Sequence, residues 1–416
     1  MAERINIGIV GCARIMPAHL RAYKILQEHG IDNFRITALC ARKREDAERF
    51  RKRGEGPPPR EPVIPPETGD PLAAPHMYIS DLHDDVEVEI YTDYKKMIEK
   101  ANIDAIDVYA SLFVHHDAAI PALEVGKHVM VEKPFAISVK AGRLMVEAAE
   151  KNNRVLCVAE NAHYNIGTRA TRWIIDQGYI GDMQMYVSGG VGGFWSPDKI
   201  VAQTPWRHQK VLGGGGGAID HGVHQFNVIR YTCGEVEQIS GLAKILEPKR
   251  YTRDEEGNII AEVENDVEDV FMALLKFENG AVGQMLSSWG GHGESIGMGR
   301  GIYGSKGCIK GGQLILDDGS KNDVVELFNE RADQSLKEKF FPMGITDGFA
   351  LETLSFLNAI EHGTPSETDG KEGLRDLAAS FAILESSEIN RPVTVDEVES
   401  GAVEVYQKEI NEYYGL

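Results

Sequence analysis

Two short segments of this chain carry side chains that can move or hold a proton. Lys133 stands at the end of an apolar run, directly before Pro134, and Asp220 and His224 follow the glycine run at 213–217. An imidazole changes protonation near neutral pH, so His224 suits removal of a proton from an alcohol. Asp220 can orient that imidazole or a substrate hydroxyl, and the Lys133 ammonium can stabilise charge that develops on the reacting oxygen. We therefore predict that Lys133, Asp220 and His224 are catalytic.

Each of these residues also has an ordinary explanation. A lysine after a strand is usually solvated, a histidine on a helix is often a core or surface group, and a glycine run is often a flexible entry to a helix. The combination of all three favours catalysis over these alternatives. Asp220 and His224 are four residues apart, so a helix through both would place them on one face.

The beginning of the chain predicts a place for a dinucleotide. The apolar run 4–10 is typical of a first strand, and a helix is predicted over 16–29. A loop between such elements brings backbone amides close to a pyrophosphate, often with the spacing G-x-G-x-x-G. Here the three positions fall on Gly11, Ala13 and Met16, so only the first is glycine. We predict cofactor contacts from Gly8, Gly11, Cys12, Ala13, Arg14 and Ile15.

The second predicted strand, 34–41, leaves the choice of cofactor open. In a dinucleotide site an acidic residue near this strand end commonly binds the adenosine ribose. This chain has Ala41, Arg42 and Lys43 there instead. The cations could hold the additional phosphate of NADP, or they could be solvated residues at a helix start, so NAD and NADP stay equally open. Further cofactor contacts are predicted after this and later strands, at Ala41, Arg42, Ser111, His116, Glu132 and Lys133.

Strands and helices alternate as far as residue 135. Predicted strands at 4–10, 34–41, 87–91, 105–110 and 128–132 are separated by predicted helices at 16–29, 45–53, 94–100 and 116–125. This alternation predicts a parallel sheet with helices on both faces, an α/β Rossmann domain over 1–135. The proline-rich segment 54–85 interrupts the alternation. It is either an ordered surface excursion, or a lid or oligomer arm near the cofactor cleft.

The pattern changes in the second half of the chain. Strands are predicted at 182–189, 236–245, 268–277, 281–288 and 295–303, with a hairpin signal at 278–280, and long helices at 349–362 and 370–390. We predict an α+β domain over 136–416 with a large, open, mostly antiparallel sheet.

Bulk properties narrow the class of protein. A length of 416 residues favours two domains. The net charge of −20, from 64 acidic against 44 basic residues, argues against nucleic acid or an anionic membrane as the main partner. Five scattered cysteines without a CxxC pair argue against disulfides and a zinc site, and no metal is predicted. The absence of a signal peptide or a membrane-spanning run predicts a cytoplasmic protein.

These motifs together resemble the glucose–fructose oxidoreductase / inositol dehydrogenase / rhizopine-catabolism (Gfo/Idh/MocA) family. The resemblance extends over nearly the whole chain, through 8–15, 119–135, 175–182, 206–234 and 377–395, and Glu132-Lys133-Pro134 combined with Asp220-x-x-x-His224 is its most specific part. It implies NAD(P)-dependent hydride transfer on a sugar or cyclitol hydroxyl and a homo-oligomer, dimeric or tetrameric. It also implies substrate contacts after the strand near residue 160.

Further substrate contacts are predicted around the catalytic segments. His163 and Tyr164 follow the strand near residue 160, and Asp220 and His224 are expected to touch the substrate as well as to catalyse. Trp195, Trp206 and Arg207 could stack on or hydrogen-bond a sugar ring, although packing beside the glycine run explains them equally well.

Two other functions stay open. The same residues could serve a glycoside-processing enzyme that oxidises its substrate transiently to a keto-sugar and then eliminates the aglycone. A non-catalytic sensor that binds cofactor or sugar is the second alternative. The presence of Lys133, Asp220 and His224 together argues against the sensor, which has no need of all three.

Overall fold

The computed structural model describes residues 4–62, 64, 66–68, 70–192, 204–254, 256–292 and 294–416. These residues form two compact units. Unit 1 takes in the residues up to 135 together with 142–164 and 338–373, and unit 2 takes in 136–141, 165–337 and 374–416.

The strands follow one another in this order: β1 (Ile5–Val10), β2 (Phe34–Cys40), β3 (Glu89–Tyr91), β4 (Ala105–Val108), β5 (His128–Glu132), β6 (Leu156–Ala159), β7 (Met183–Val191), β8 (Val236–Lys244), β9 (Lys249–Arg253), β10 (Ile259–Glu264), β11 (Val270–Phe277), β12 (Val282–Ser288), β13 (Ile296–Gly304), β14 (Gly307–Lys310), β15 (Gln313–Leu316), β16 (Lys321–Asp323) and β17 (Val393–Thr394).

The helices are α1 (Met16–Glu28), α2 (Arg44–Arg51), α3 (Tyr94–Lys100), α4 (His115–Glu124), α5 (Val139–Asn152), α6 (Ile166–Asp176), α7 (Lys210–Gly213), α8 (Gly217–Asp220), α9 (Gly222–Cys233), α10 (Val324–Arg331), α11 (Gln334–Phe340), α12 (Gly348–His362), α13 (Gly370–Ile389), α14 (Val395–Glu399) and α15 (Lys408–Tyr414). Within the described part of the chain, none of them combines the length and the apolar character needed to span a bilayer.

Unit 1 contains a parallel sheet with the strand order β3-β2-β1-β4-β5-β6. This is the order of a Rossmann fold, so the predicted α/β class is confirmed. The apolar runs form the strands because side chains on both faces of β1 and β4 are buried, as parallel sheets require. Asp93 starts α3 by accepting the amides of Lys95 and Lys96, and Asp347 starts α12 by accepting that of Ala350.

The end of unit 1 differs from the predicted boundary at residue 135. The chain passes through α5 and returns as β6, which pairs in parallel with β5, and α12 also belongs to this unit. All four residues of β6 are buried, so this strand shares the sheet's core instead of entering a second domain. Residue 135 therefore lies just past the end of the fifth strand and is not the last residue of unit 1, which also includes 142–164 and 338–373.

The proline-rich excursion packs on the outside of unit 1. Three 3₁₀ turns, Pro66–Thr68, Pro71–Ala73 and Ile79–Asp81, interrupt it. Gln27 of α1 donates to the Leu82 carbonyl at 2.6 Å, and Arg53 forms an ion pair with Asp81 at 2.8 Å. The His83 imidazole accepts the Ile36 amide at 3.0 Å. These contacts fit the reading of residues 79–83 as an ordered surface excursion.

Unit 2 contains a mixed sheet with the order β16-β15-β14-β13-β7-β12-β11-β8-β17. Its strands pair antiparallel except β12 with β7, so the predicted mostly antiparallel sheet is confirmed. Buried and exposed residues alternate along β11, which indicates one covered and one open face. Helix α13 lies on the covered face, where Ser386 accepts the Gly241 amide at 2.9 Å.

Candidate active site

In unit 1, one row of paired residues brings the predicted cofactor contacts to the same edge of the sheet. Val10 pairs with Cys40 on one side and with Val108 on the other, and Val108 pairs with Val131. Because the four strands are parallel, the chain leaves all of them at that edge. Ligands bind at this edge in open α/β sheets, next to the point where the strand order reverses between β1 and β4.

Gly11 holds the turn after β1 close to the end of β4. Its φ angle is +105°, and a Cβ there would lie 2.5 Å from the Ala110 nitrogen. Its amide donates to the Cys40 carbonyl at 2.9 Å. The first glycine of the fingerprint serves a tight turn of this kind, so Gly11 fits a dinucleotide site although the second and third fingerprint glycines are missing. Gly8 lies inside β1, behind the turn.

In the turn between β1 and α1, several side chains are partly exposed to solvent. Ala13, Arg14 and Ile15 are partly exposed between β1 and α1. Cys12, predicted as a contact, turns its side chain into the core, and burial raises the pKa of its thiol far above the usual value. The Cys12 side chain is therefore not available to a cofactor, and a contact through its backbone stays a prediction; burial also makes the thiol unreactive.

The strand ends beyond β1 carry the other predicted contacts. The Ala41 amide donates to the Tyr91 carbonyl at 3.2 Å, and Arg42 is exposed just before α2. Ser111 precedes a 3₁₀ turn without capping it through its hydroxyl. His116 is buried in the first turn of α4, and burial lowers its pKa, so the ring is neutral at pH 7.

His115 joins the ends of two strands. Its Nδ1 lies 3.0 Å from the Pro134 carbonyl oxygen, and its Nε2 lies 3.1 Å from that of Ala110. The ring therefore holds the segment after β4 against the segment after β5. Among the described residues, no group of three or more His, Cys, Asp or Glu side chains is arranged to hold a metal ion.

Lys133 lies directly past β5, and its backbone is fixed by its neighbour. The Lys133 amide donates to Oε2 of Glu132 at 2.9 Å, and Oε1 of Glu132 lies 2.7 Å from Nε2 of His19. Glu132, predicted as a cofactor contact, thus uses both carboxylate oxygens inside the protein. His19 was not predicted from the sequence, because a histidine in an amphipathic helix carries no signal of such a partner.

The predicted substrate contacts after β6 have different surroundings. His163 Nε2 lies 3.4 Å from Glu367 Oε2. Tyr164 is only 1 % exposed, and its hydroxyl lies 3.4 Å from Thr368 Oγ1. The structure therefore corrects Tyr164 from a substrate contact to a core residue of unit 1, whereas the role of His163 stays a prediction.

In unit 2, Asp220 and His224 lie on two short helices instead of one. Helix α8 ends at Asp220, α9 begins at Gly222, and His221 stands between them with φ −104°. One continuous helix through both residues, which was the condition for placing them on one helical face, is therefore not formed. Asp220 is 9 % exposed and His224 is partly exposed.

Asp220 belongs to a chain of contacts that includes Trp206 and Arg207, two of the three residues that could contact a sugar ring. Arg207 Nε donates to Asp220 Oδ2 at 3.3 Å, and the Arg207 guanidinium lies 4.5 Å from the centre of the Trp206 ring. Trp206 and Arg207 are partly exposed. The structure thus brings these three residues together, while Trp195 lies outside the described residues.

Glu268 holds the glycine run and was missed by the sequence analysis. Its two carboxylate oxygens accept the amides of Gly216 and Ala218, each at 2.8 Å. A Cβ on Gly216 would lie 1.8 Å from the Glu268 carbonyl oxygen, so only glycine fits there. Burial raises the pKa of Glu268 to about 7 even though both amides favour the carboxylate. Glu268 therefore fixes the start of α8, which carries Asp220.

The raised pKa of Glu268 predicts a pH-dependent stability. Its pKa lies above the ordinary value of 4.5, so its contribution to stability is present below pH 4.5 and is lost as the pH rises through about 7. The shift corresponds to about 3 kcal/mol. Glu268→Gln should reduce the fall in melting temperature between pH 5 and 8, because glutamine does not titrate. The melting temperature itself should be lower than that of the wild type at every pH, because the glutamine NH2 meets an amide donor.

The matched control is Glu278→Gln, which changes an exposed glutamate of the same unit. It should keep the wild-type pH dependence. If the melting temperature changed equally with pH in the wild type and in Glu268→Gln, the pH dependence would not come from Glu268.

Comparisons with known proteins agree with this geometry. A family model described as the oxidoreductase family, NAD-binding Rossmann fold, matches residues 72–160, and a model of the GFO/IDH/MocA C-terminal domain matches residues 168–310. The first model describes NAD-binding oxidoreductases, and the parallel sheet with its Gly11 turn is the fold that this description names. Since both domain models match, the chain belongs to the Gfo/Idh/MocA family, as the motifs predicted.

Two named relatives and one solved structure are similar to this chain. Levoglucosan dehydrogenase of Pseudarthrobacter phenanthrenivorans is 27% identical over 226 residues, which cover 52% of this chain and only 57% of that enzyme. Myo-inositol 2-dehydrogenase of Thermotoga maritima is 26% identical over 313 residues, covering 74% and 84%. An oxidoreductase from Agrobacterium radiobacter, solved with NAD+, L-tartaric acid and magnesium, has a TM-score of 0.68 at 18% identity, covering 94% and 99%, which shows a shared fold.

Proposed function

We propose that this protein oxidises a secondary hydroxyl of a sugar, glycoside or cyclitol, or reduces the matching ketone, with NAD or NADP. One observation carries most weight: the paired row Val10–Val108–Val131 puts the Gly11 turn and Lys133 at one edge of a single sheet. A lysine beside a dinucleotide turn suits hydride transfer at a carbon that bears oxygen. The names of the two relatives, a levoglucosan and a myo-inositol dehydrogenase, favour a sugar or cyclitol as substrate.

The chain's own residues supply binding and proton transfer. A bound nicotinamide supplies the hydride acceptor or donor. In this proposal His224 acts as the base that removes the hydroxyl proton. The Lys133 ammonium stabilises negative charge that develops on oxygen during the reaction. Asp220 orients the imidazole or the substrate, while its ion pair with Arg207 holds the carboxylate in place. Trp206, stacked under Arg207, offers an aromatic face to the sugar ring.

Removal of either proposed catalytic side chain should abolish most turnover. Lys133→Ala and His224→Ala should each lower kcat by about 10²–10⁴, because positioned acid–base groups and charge stabilisation contribute on that scale. Both variants should still bind NADH, measured by its fluorescence. Lys310→Ala and His362→Ala change an exposed lysine and an exposed histidine and serve as controls. Wild-type turnover in either catalytic variant removes that residue from the mechanism.

A substrate panel separates this function from its two alternatives. Reduced nicotinamide is followed by near-ultraviolet absorbance with free sugars, levoglucosan, glycosides and cyclitols, each with NAD and with NADP. Net reduction with one compound supports the dehydrogenase. Cleavage of a glycoside without net reduction, seen by chromatography, supports transient oxidation followed by elimination. Cofactor binding without either reaction supports a sensor.

Arg42 provides a test of cofactor preference. Its exposed guanidinium stands where the adenosine ribose of a dinucleotide is expected, with no acidic residue at the strand end. Arg42→Ala should raise the KM for NADP about tenfold and leave the KM for NAD within about twofold, because only NADP carries the extra phosphate. Lys52→Ala, at the other end of α2, is the control. Equal changes for both cofactors would contradict a role for Arg42.

We also propose that the open sheet face of unit 2 joins copies of this chain into a dimer or tetramer. Met272 and Leu274 of β11 are exposed, and so are Leu242 of β8, Val282 of β12 and Met185 of β7. Met272 pairs with Leu242, and Val282 pairs with Met185, so the apolar side chains continue across neighbouring strands. An apolar face of this kind on a folded protein commonly marks an association surface.

A charge on this face should disrupt the assembly. Met272→Asp combined with Leu274→Asp should convert the oligomer to a monomer, because an interface cannot bury two unpaired carboxylates. Light scattering after size exclusion gives the mass. Val405→Asp, at an exposed valine outside the sheet, is the control. An unchanged mass in the double variant would show that another surface forms the contact.

A cytoplasmic location is part of the same proposal. All five cysteines, which lie within the described residues, are free thiols, as is usual in a reducing compartment. The absence of nucleic acid as a partner rests on the net charge of −20.

A further inference from the structure

A buried polar cluster lies behind Lys133 in unit 1. His19 of α1 is fully buried, with Nε2 2.7 Å from Oε1 of Glu132 and Nδ1 3.8 Å from Oε1 of Glu352 on α12. Glu352 is 2 % exposed. The cluster therefore places one imidazole between two carboxyl groups, and the first of these accepts the Lys133 amide.

Aromatic rings fix the direction of the His19 imidazole. The Tyr109 ring stacks on it at 3.8 Å between centres, with 10° between the planes, and Phe349 meets it edge-on at 5.0 Å. Tyr109 is itself anchored, because its hydroxyl donates to Asp107 Oδ2 at 2.7 Å, as does that of Tyr23 at 2.6 Å. The imidazole is thus held so that Nε2 points at Glu132 and Nδ1 faces Glu352.

The surroundings of Glu352 favour its neutral form. Burial, together with the nearby carboxylates of Glu132, Glu160, Asp347 and Asp107, raises the pKa of Glu352 well above its usual range, which favours the protonated carboxyl. Neither Glu352 oxygen nor His19 Nδ1 has a hydrogen-bond partner among the described residues. With Nε2 of His19 in contact with Oε1 of Glu132, Nδ1 is the ring nitrogen that faces Glu352. Oε1 of Glu352 lies 3.8 Å from that nitrogen, which is longer than a hydrogen bond but close enough for the two groups to influence each other's protonation.

We propose that His19 and Glu352 are positioning residues, which hold Glu132 as the acceptor of the Lys133 amide and so fix Lys133 for catalysis. The proposal rests on the proposed function in that Lys133 is taken to be catalytic. Glu352 sets the tautomer of His19, His19 orients Glu132, and Glu132 fixes the backbone of Lys133. The same relation of an acid that orients a histidine is common in enzymes, although here the histidine acts on a backbone clamp and not on the substrate.

A structural role and a positioning role predict different outcomes for apolar replacements. If the cluster only filled space, His19→Phe and Glu352→Met would be tolerated, because apolar residues of similar size often replace buried polar groups without loss of stability. In the positioning role these variants stay folded, but they release the Glu132 carboxylate. Glu352→Gln keeps a neutral donor opposite Nδ1 and should behave as the wild type.

The first test needs no substrate. Hydrogen–deuterium exchange of the full-length chain, read by mass spectrometry on overlapping peptides that isolate the Lys133 amide, reports whether Glu132 still accepts it. His19→Phe and Glu352→Met should exchange about tenfold faster at Lys133, as expected for loss of a hydrogen bond to a charged acceptor. Glu352→Gln should stay within about twofold of the wild type. Wild-type exchange in a folded His19→Phe protein would overturn the proposal.

Kinetics then connect the clamp to the reaction. With the substrate found in the panel, His19→Phe and Glu352→Met should lower kcat by about ten- to a hundredfold and leave KM nearly unchanged, since a misplaced catalytic group costs rate on that scale. Glu352→Gln should have the kcat of the wild type, in contrast to Glu352→Met. Controls are Glu361→Met and Glu361→Gln, which change an exposed glutamate on the same helix. Unchanged kcat in both apolar variants would overturn the catalytic part of the proposal.

The two tests keep this proposal separate from the proposed function. If no compound in the panel reacts, the proposed function fails, while the exchange result still decides whether His19 and Glu352 hold the Lys133 backbone. If a substrate is found and exchange at Lys133 is unaffected by either apolar variant, the proposed function stands and the positioning role fails.

Discussion

The parallel register of unit 1 is the constraint on which the cofactor edge depends. Because Val10 pairs with both Cys40 and Val108, and Val108 with Val131, four chain segments leave the sheet side by side. A slip of one residue between β4 and β5 would turn the side chains of β5 to the opposite face and displace Lys133 along the edge. Burial of β4 on both faces opposes such a slip, so the core that stabilises the sheet also sets the geometry of the site.

Carboxylates that bind backbone amides recur in both units. In unit 1 Glu132 binds the amide of Lys133, and in unit 2 Glu268 binds those of Gly216 and Ala218. In each case a carboxylate fixes the main chain at or close to a proposed catalytic residue. A side chain that acts on the backbone in this way constrains position without occupying the space that a substrate or cofactor needs.

Sequence patterns predicted the fold class more completely than they predicted the arrangement of the site residues. Apolar runs separated by helical spacing were sufficient for the parallel sheet, and the hairpin signal at 278–280 between two predicted strands was sufficient for antiparallel pairing in the second sheet. The membership of β6 in the first sheet could not be read in this way, since a short buried strand has the same pattern in either unit. The sheet to which β6 belongs is decided by strand pairing and register, which depend on contacts between residues distant in sequence.

At the site, too, residues in local motifs were predicted, whereas residues that meet only through packing were not. Lys133 and Gly11 stand in motifs whose spacing has a physical meaning, and the structure places both at the expected edge. His19 and Glu352 are 333 positions apart in the printed sequence, and nothing near either residue indicates that they meet. The break at His221 and the burial of Tyr164 likewise arise from packing, which a local pattern does not record.

The discontinuity of unit 1 has a consequence for synthesis on the ribosome. Its sheet is completed only by β6, and α12, which brings Glu352 and Phe349 to His19, is translated after most of unit 2. A nascent chain of 135 residues therefore lacks both the sixth strand and the helix that encloses the buried imidazole. The amino-terminal unit of this protein cannot finish folding first, although vectorial synthesis presents it first.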